Sequence, residues 1–156
     1  MSSSKARPTS RTKYRALNVV QTGPTEMSLY VNENYAQPTA HLRRYTLRLD
    51  GFTSLRGDYD GGEMVTRPIR FSGSRLLMNF ATSAAGSIRV EVQDESGRAL
   101  PGFALEDCRE LIGNEIARAV DWKSANIATL SGRVLRLRFV LKDADLYAMQ
   151  FRADSR

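Results

Sequence analysis

The heptapeptide SIRVEVQ, residues 87–93, decides the fold class of this chain. Its apolar residues Ile88, Val90 and Val92 alternate with polar ones. Successive side chains of a β-strand point to opposite faces, so this rhythm predicts a strand with one buried face and one solvated face. The same alternation recurs twice more, in Leu135, Leu137, Phe139 and Leu141 and in Tyr147, Met149 and Phe151. The chain is therefore predicted to be all-β.

Turn signals separate these alternating segments. Asp94-Glu95-Ser96-Gly97 closes a predicted hairpin, and the glycine-rich run at 57–62 predicts a loop. Pro68 limits residues 64–71 to an edge or bulged strand, because proline has no N–H to donate to a sheet. A further turn is predicted at 143–145, before the last strand.

Residues 103–120 fit either a helical spacing or a strand. We favour a loop over 106–114 followed by a strand that ends at Trp122. About nine strands spaced by roughly 8 to 15 residues then predict a two-sheet antiparallel β-sandwich of jelly-roll or concanavalin-like type.

The positive charge is concentrated near the start of the chain. Five basic residues and no acid precede residue 16, and without these five the chain has 18 basic and 17 acidic residues. A body so nearly neutral argues against a dedicated DNA or RNA surface, whose affinity comes largely from phosphate neutralisation. We expect residues 1–13 to form a disordered basic tail, since they contain no apolar run.

Location is constrained only weakly by the sequence. The expected tail has no apolar centre of the kind found in a signal peptide, and no stretch reaches the ~20 apolar residues of a membrane-spanning helix. A soluble protein with no membrane partner is therefore expected, in a compartment that the sequence leaves open. Cys108 is the only cysteine, so no internal disulfide can form.

Four stretches together resemble a known family. They are HLRRYTLRLDGFTSL at 41–55, GGEMVTRPIRF at 61–71, SAAGSIRVEVQDESGRALPGFALEDC at 83–108 and VLRLRFVLKDADLYAMQFR at 134–152. They resemble the C-terminal β-sandwich of bacterial proteins related to glycoside hydrolase family 32, in which a five-bladed β-propeller precedes the sandwich. The preceding GPTEMSLYVNENYAQPTAHLRRY, residues 23–45, looks like the last propeller strand and its connection.

This resemblance implies a domain organisation and a noncatalytic role. Residues 14–40 would be a linker or a remnant of the last propeller strand, 41–152 the sandwich, and 153–156 a short tail. In the resembled family the catalytic acids belong to the propeller, and the Asn-Asp-Pro-Asn-Gly and Arg-Asp-Pro motifs are absent from this chain. We therefore expect no enzymatic activity from it.

Two aromatic residues are candidates for carbohydrate binding. An exposed Trp122 would stack on the apolar face of a sugar ring, although a lone tryptophan at a strand end more often packs in the core. Tyr59, flanked by Asp58 and Asp60, combines an aromatic ring with two hydrogen-bond acceptors, although a solvated turn explains these residues as well. A carbohydrate binder should expose one of the two rings beside an acid or an amide.

A metal site has weaker support. Asp143 and Asp145 lie two residues apart near a strand start, where sandwich domains often hold calcium. Two acids are too few for a site, and turn chemistry accounts for them, so no cofactor is predicted and calcium stays a minor alternative.

Two functions follow as expectations. The first is an accessory sandwich that packs on a propeller domain or binds carbohydrate weakly. The second is a self-associating structural module without a ligand, in which the strand around residues 27–33 forms a homo-oligomer contact.

Overall fold

The computed structural model describes residues 13–153, which form ten strands and one turn of 3₁₀ helix. The chain divides into two compact units, Met1–Leu49 and Asp50–Arg156. The first contains strands β1 (Tyr14–Arg15), β2 (Val20–Gln21), β3 (Glu26–Glu33) and β4 (His41–Arg48). The second contains β5 (Leu55–Gly57), β6 (Gly62–Val65), β7 (Ile69–Arg70), β8 (Arg75–Gln93), β9 (Asn114–Ala119), the 3₁₀ turn Ile127–Leu130 and β10 (Val134–Arg152).

The prediction of an all-β protein is confirmed. Each unit holds one antiparallel sheet, an architecture consistent with a β-sandwich. The jelly-roll or concanavalin-like type stays a prediction. Residues 1–12 of the expected tail and residues 154–156 lie outside the described part of the chain.

The unit boundary differs from the expected one at residues 40 and 41. Strand β4 pairs with β3 along its whole length, from Glu26↔Arg48 to Glu33↔His41. This hairpin keeps residues 41–49 with the segment before them, so the division falls between Leu49 and Asp50.

The first sheet is centred on β3. Strands β1 and β2 pair with one edge of β3, and β4 pairs with the other. The strand that we considered for a homo-oligomer contact therefore has neighbours on both sides. Met27 and Val31 on this strand are buried.

The second sheet is organised around β10, the longest strand together with β8. Strand β8 pairs with one edge of β10, while β5, β6 and β7 pair with the other. The residues that alternate inward are fully or almost fully buried, as their pattern predicts: Leu76, Met78, Phe80, Ile88, Val90, Val92, Leu135, Leu137, Phe139 and Leu141. These side chains form the core of the unit.

The predicted turn at 143–145 is wrong, because β10 runs through it as one strand with a β-bulge. The register shifts between Lys142 and Ala144, where Asp143 has a φ of 40°. Four residues of β8, 83–86, lie opposite the single residue Asp143. The inward-facing side chains of β10 change there from odd to even positions, so Ala144 and Leu146 are buried.

A second register shift, between Leu146 and Ala148, further alters the end of β10. Met149, expected on the buried face, is 38% exposed. Phe151 is half-buried and stacks on Phe71 with ring centroids 3.9 Å apart. The inward alternation predicted for residues 147–151 therefore holds only in part.

The polar face of β8 is less solvated than its sequence indicates. Glu91 and Gln93 are each only 7% exposed. Gln93 Nε2 donates to Glu91 Oε1 over 2.7 Å, and Arg138 on the paired strand lies 3.6 Å from the same oxygen. Long arginine side chains cover sheet surface well, which explains this burial of polar groups.

The remaining turn predictions are confirmed. Asp94 Oδ1 accepts from the backbone N–H groups of Ser96 and Arg98, and Gly97 has a φ of 86°, which glycine adopts without strain. Residues 106–113 contain no strand and β9 follows them, as predicted. The strand ends at Ala119 rather than at Trp122, however, which forms only an isolated bridge with Cys108. Pro68 separates two short strands at the edge of β10, as the missing N–H requires.

Candidate functional site

The loop that carries Tyr59 is anchored on both sides to β10. It connects β5, which pairs Gly57 with Ala144, to β6, which pairs Gly62 with Leu141. A Cβ at Gly57 would lie 2.6 Å from Leu141 Cβ, so only glycine fits at this approach. The loop is thereby held directly beside the bulge.

Hydrogen bonds define the shape of this loop. Asp58 O accepts from the N–H of Gly61 and from the N–H of Asp143, each over 2.9 Å. The second bond uses the backbone of the bulge itself. The predicted glycine-rich turn is thus confirmed, and Tyr59 and Asp60 lie at its outer end.

Strand β8 approaches the bulge from the other side. Its pairing with β10 passes from Ser87↔Lys142 directly to Thr82↔Ala144, so residues 83–86 bulge out opposite Asp143. A Cβ on Gly86 would lie 2.3 Å from Asp143 O, a distance that no real side chain tolerates. Glycine at this position is therefore a requirement of the bulge.

A groove of about 500 Å³ lies between the loop and this part of β8. Tyr59 and Asp60 line one side, Ala84 and Ala85 line another, and Leu141 and Lys142 contribute from β10. Arg89, Glu110 and Ile112 also line it. Tyr59 is 67% exposed and Ile112 is 56% exposed, so two apolar surfaces are open to solvent there.

The charges around the groove balance. Lys142 Nζ lies 5.1 Å from the centre of the Tyr59 ring, within the range of a cation–π contact that helps to hold the ring in place. Arg89 Nε lies 3.6 Å from Glu110 Oε1. Two cations and two carboxylates thus line the groove, an arrangement suited to hydroxyl groups that both donate and accept hydrogen bonds.

The aspartate pair Asp143 and Asp145 and the aspartate beside Tyr59, Asp58, converge on one arginine. Arg56 Nη1 lies 3.4 Å from Asp145 Oδ2, Arg56 Nε lies 3.3 Å from Asp58 Oδ1, and Arg56 Nη2 lies 3.9 Å from Asp143 Oδ1. Ser54 Oγ also donates to Asp145 Oδ1 over 2.7 Å. A guanidinium therefore occupies the place at which calcium was considered. Within residues 13–153, no group of three or more His, Cys, Asp or Glu side chains is arranged to hold a metal ion.

Trp122 lies in the core rather than on a binding face. It is 6% exposed, its ring contacts Phe103 edge to face at 5.2 Å, and its Nε1–H donates to Val90 O over 3.0 Å. The Val90 N–H donates to Cys108 Sγ over 3.3 Å. Two side chains thus satisfy the backbone of Val90 on the edge of β8 that faces away from β10.

The neighbours of Val90 show why these side chains are needed. Ile88 exchanges backbone hydrogen bonds with Leu111, and Val92 bonds to Phe103 and Leu100. On this edge no backbone group of the described residues bonds to Val90. The side chains of Cys108 and Trp122 supply its hydrogen bonds instead. Burial raises the pKa of the Cys108 thiol, as expected for a thiol in this structural position.

The structure brings together only part of the predicted carbohydrate site. Tyr59 and Asp60 share the groove, whereas Asp58 turns its carboxylate to Arg56. Trp122 borders a different and smaller cavity of about 280 Å³. Sequence reasoning missed Lys142, Glu110 and Ile112 as groove residues. Of these three, only Ile112 has a local signal in the sequence, since it is an apolar residue in a predicted loop.

The first unit contains a separate cluster of charges around Glu33. This carboxylate is almost buried and accepts a hydrogen bond from the Tyr45 hydroxyl, while Lys13 Nζ, His41 Nε2 and Arg43 Nη1 lie 3.2, 3.3 and 3.4 Å from its oxygens. The Tyr45 hydroxyl and then Lys13 lower the pKa of Glu33 to about 2. Glu33 therefore ties β1 and β4 to the central strand.

A second carboxylate of this unit is also engaged. Arg44 Nη2 contacts Glu26, and Arg44 Nε donates to the buried Ser28 Oγ over 2.9 Å. Both acids of residues 13–49 are thus held by basic side chains of the same sheet.

Among the described residues, no helix has the length and apolar character needed to cross a bilayer. Comparison with known proteins gives no match to a family model, to a curated protein or to a solved structure.

Proposed function

We propose that this protein is a noncatalytic accessory module of a glycoside hydrolase-like protein, and that it binds carbohydrate weakly in the groove beside Tyr59. One observation carries the proposal. Tyr59 presents a 67% exposed ring beside Asp60 at the rim of the groove, which is the arrangement expected of a carbohydrate binder.

The groove offers the two kinds of contact that a sugar needs. The C–H face of a pyranose packs on an aromatic ring, and the exposed Ile112 adds apolar surface. Asp60 and Glu110 accept hydrogen bonds from hydroxyl groups, while Arg89 donates them. The groove is open and Tyr59 is the aromatic residue in its lining, so the binding that we propose is weak.

The accessory role rests on the family resemblance. There the catalytic acids lie on a propeller, so the proposal assigns this chain no reaction of its own. Packing on a propeller would use the first unit, where Leu17 and Tyr14 are respectively 94% and 59% exposed.

The experiment is a glycan array followed by titration calorimetry of the glycans that bind. Tyr59→Ala removes the stacking ring and should weaken binding about tenfold, which corresponds to about 1.4 kcal/mol. Tyr59→Phe keeps the ring and should bind nearly as well as the parent. Phe52→Ala is the matched control, because Phe52 is 62% exposed in the same unit and does not line the groove.

Two results contradict the proposal. One is an array on which no glycan binds above background. The other is glycan binding that Tyr59→Ala leaves unchanged.

Self-association is the second candidate function, and the exposed apolar side chains of the first unit favour it. Light-scattering mass distinguishes the two candidates. A monomer that binds glycan supports the first, and an oligomer without glycan binding supports the second.

A further inference from the structure

Strand β4 is an open sheet edge. Among the described residues it pairs only with β3, and the side chains of residues 41–46 are all exposed. The opposite edge of β3 is occupied by β1 and β2. An exposed strand of eight residues is a template for pairing with another chain unless something covers it.

The hydrogen-bond pattern shows which groups of β4 face outward. The Leu49 N–H donates to Thr25 O over 2.9 Å, and bonds in an antiparallel pair alternate along the strand. Residues 43, 45 and 47 therefore bond inward to β3, and Leu42, Arg44 and Thr46 point their N–H and C=O groups outward. A second bond supports this assignment. Tyr30, which lies opposite Arg44, accepts from Ala16 N over 2.8 Å, so the backbone of Tyr30 faces away from β4 and that of Arg44 faces away from β3.

The edge is strongly basic. Strand β4 carries Arg43, Arg44, Arg48 and His41 and no acid. The described residues of the first unit, 13–49, hold five basic and two acidic residues, whereas residues 50–156 hold fifteen of each. The two acids, Glu26 and Glu33, are already engaged within the sheet.

This charge decides between possible occupants of the edge. A second copy of β4 would place arginines opposite or diagonal to arginines, and like charges in cross-strand pairs are destabilising. Residues 1–12 have three basic residues and no acid, so they do not complement the edge either. An acidic strand does.

We propose that the β4 edge binds an extended acidic segment of a partner protein, which adds to the first sheet as a further strand. The backbone of Leu42, Arg44 and Thr46 supplies the hydrogen bonds, and alternate side chains supply the selectivity. Acidic residues of the segment lie on the face of Arg43 and His41. On the opposite face an apolar residue packs on the exposed Leu42, which shares that face with Arg44. This inference concerns the first unit and is independent of the Tyr59 groove.

The probe is a blocked eight-residue peptide that alternates glutamate and valine, added to the isotope-labelled full chain in low salt. We expect the largest amide shifts at Leu42, Arg44 and Thr46, and loss of binding as salt rises. A peptide with lysine in place of glutamate should not bind. In two further peptides alternate amides are N-methylated, one set in each peptide, which removes their N–H donors. Only methylation of the amides that face β4 should abolish binding.

A pair of variants tests the edge from the protein side. Thr46→Pro removes an outward N–H, which a proline on an edge strand can replace without loss of the fold, and should weaken binding at least roughly tenfold. Thr46→Val keeps the N–H and should bind as the parent does. The N-methylated peptides act on the unaltered protein, so they decide the question even if Thr46→Pro unfolds.

Three outcomes overturn the inference. The first is an acidic peptide that leaves the three outward amides unshifted. The second is equal binding of the two N-methylated peptides, which would mean attraction by charge alone. The third is a dimer that Thr46→Pro converts to a monomer, since the occupant would then be a second copy.

Discussion

Replacing Trp122 with phenylalanine tests whether its indole N–H supplies the hydrogen bond that Val90 O would otherwise receive from a neighbouring strand. The substitution leaves Val90 O without its donor, and an unsatisfied buried acceptor costs about 1–3 kcal/mol. The smaller ring leaves a cavity in a site that is 6% exposed, which adds about 1 kcal/mol. We therefore expect the free energy of unfolding to fall by about 2–4 kcal/mol.

Urea unfolding followed by far-UV circular dichroism measures this loss. Trp122 is the only tryptophan, so its fluorescence cannot report on both proteins. Phe103→Leu is the matched control, because it alters the ring that packs on Trp122 but removes no side-chain hydrogen bond, and it should cost less than about 1.5 kcal/mol.

A loss for Trp122→Phe no larger than that of Phe103→Leu would refute the reasoning, since the hydrogen bond would then contribute nothing. The folded variant should keep the glycan binding proposed for the parent, because Trp122 does not line the Tyr59 groove.

Three further predictions concern the β-bulge at Asp143, stability at low pH and the reactivity of the Cys108 thiol. Gly86→Ala places a Cβ 2.3 Å from Asp143 O, so it should lower the urea midpoint strongly; an unchanged midpoint would show that the strand relaxes freely. Folding lowers the pKa of Glu33 from 4.5 to about 2 and that of Asp94 from 3.8 to about 2. Each carboxylate should therefore stabilise the fold fully above its unfolded pKa, and this stabilisation should be lost as the pH falls to about 2. Carboxyl NMR titration checks both, and a midpoint near 4 for either would contradict its network. Cys108 should react with a thiol reagent only at the rate of unfolding, because it is 5% exposed and burial raises its pKa; rapid labelling of the folded protein would contradict this.

Local periodicity predicts the core well and its bulges poorly. Val90 and Phe139 are buried as their alternation indicates, because period-two patterning is a property of the strand itself. The reversal at Asp143 comes from extra residues in one strand of a pair. Only the pairing partner reveals such residues, so the sequence predicts a turn where the structure has a continuous strand.

The candidate site shows the same division. The turn at 57–62 and the exposed position of Tyr59 follow from glycine and aspartate chemistry that acts over a few residues. Lys142, Glu110 and Ile112 join Tyr59 only because β8 and β10 bring distant segments together. The contact of Arg56 with Asp143 spans 87 positions, so no spacing rule separates it from a calcium site.

The central position of β10 has a consequence for biosynthesis. Four other strands of the second unit hydrogen-bond to it, and its partners in β8 lie between 43 and 77 positions earlier in the chain. As the ribosome releases residues 50–133, their apolar side chains have no completed sheet to join. The unit closes only when residues 134–152 emerge, and such non-local pairing is slow, on the order of milliseconds to seconds. A nascent chain stalled before residue 134 should therefore be a substrate for chaperones and proteases.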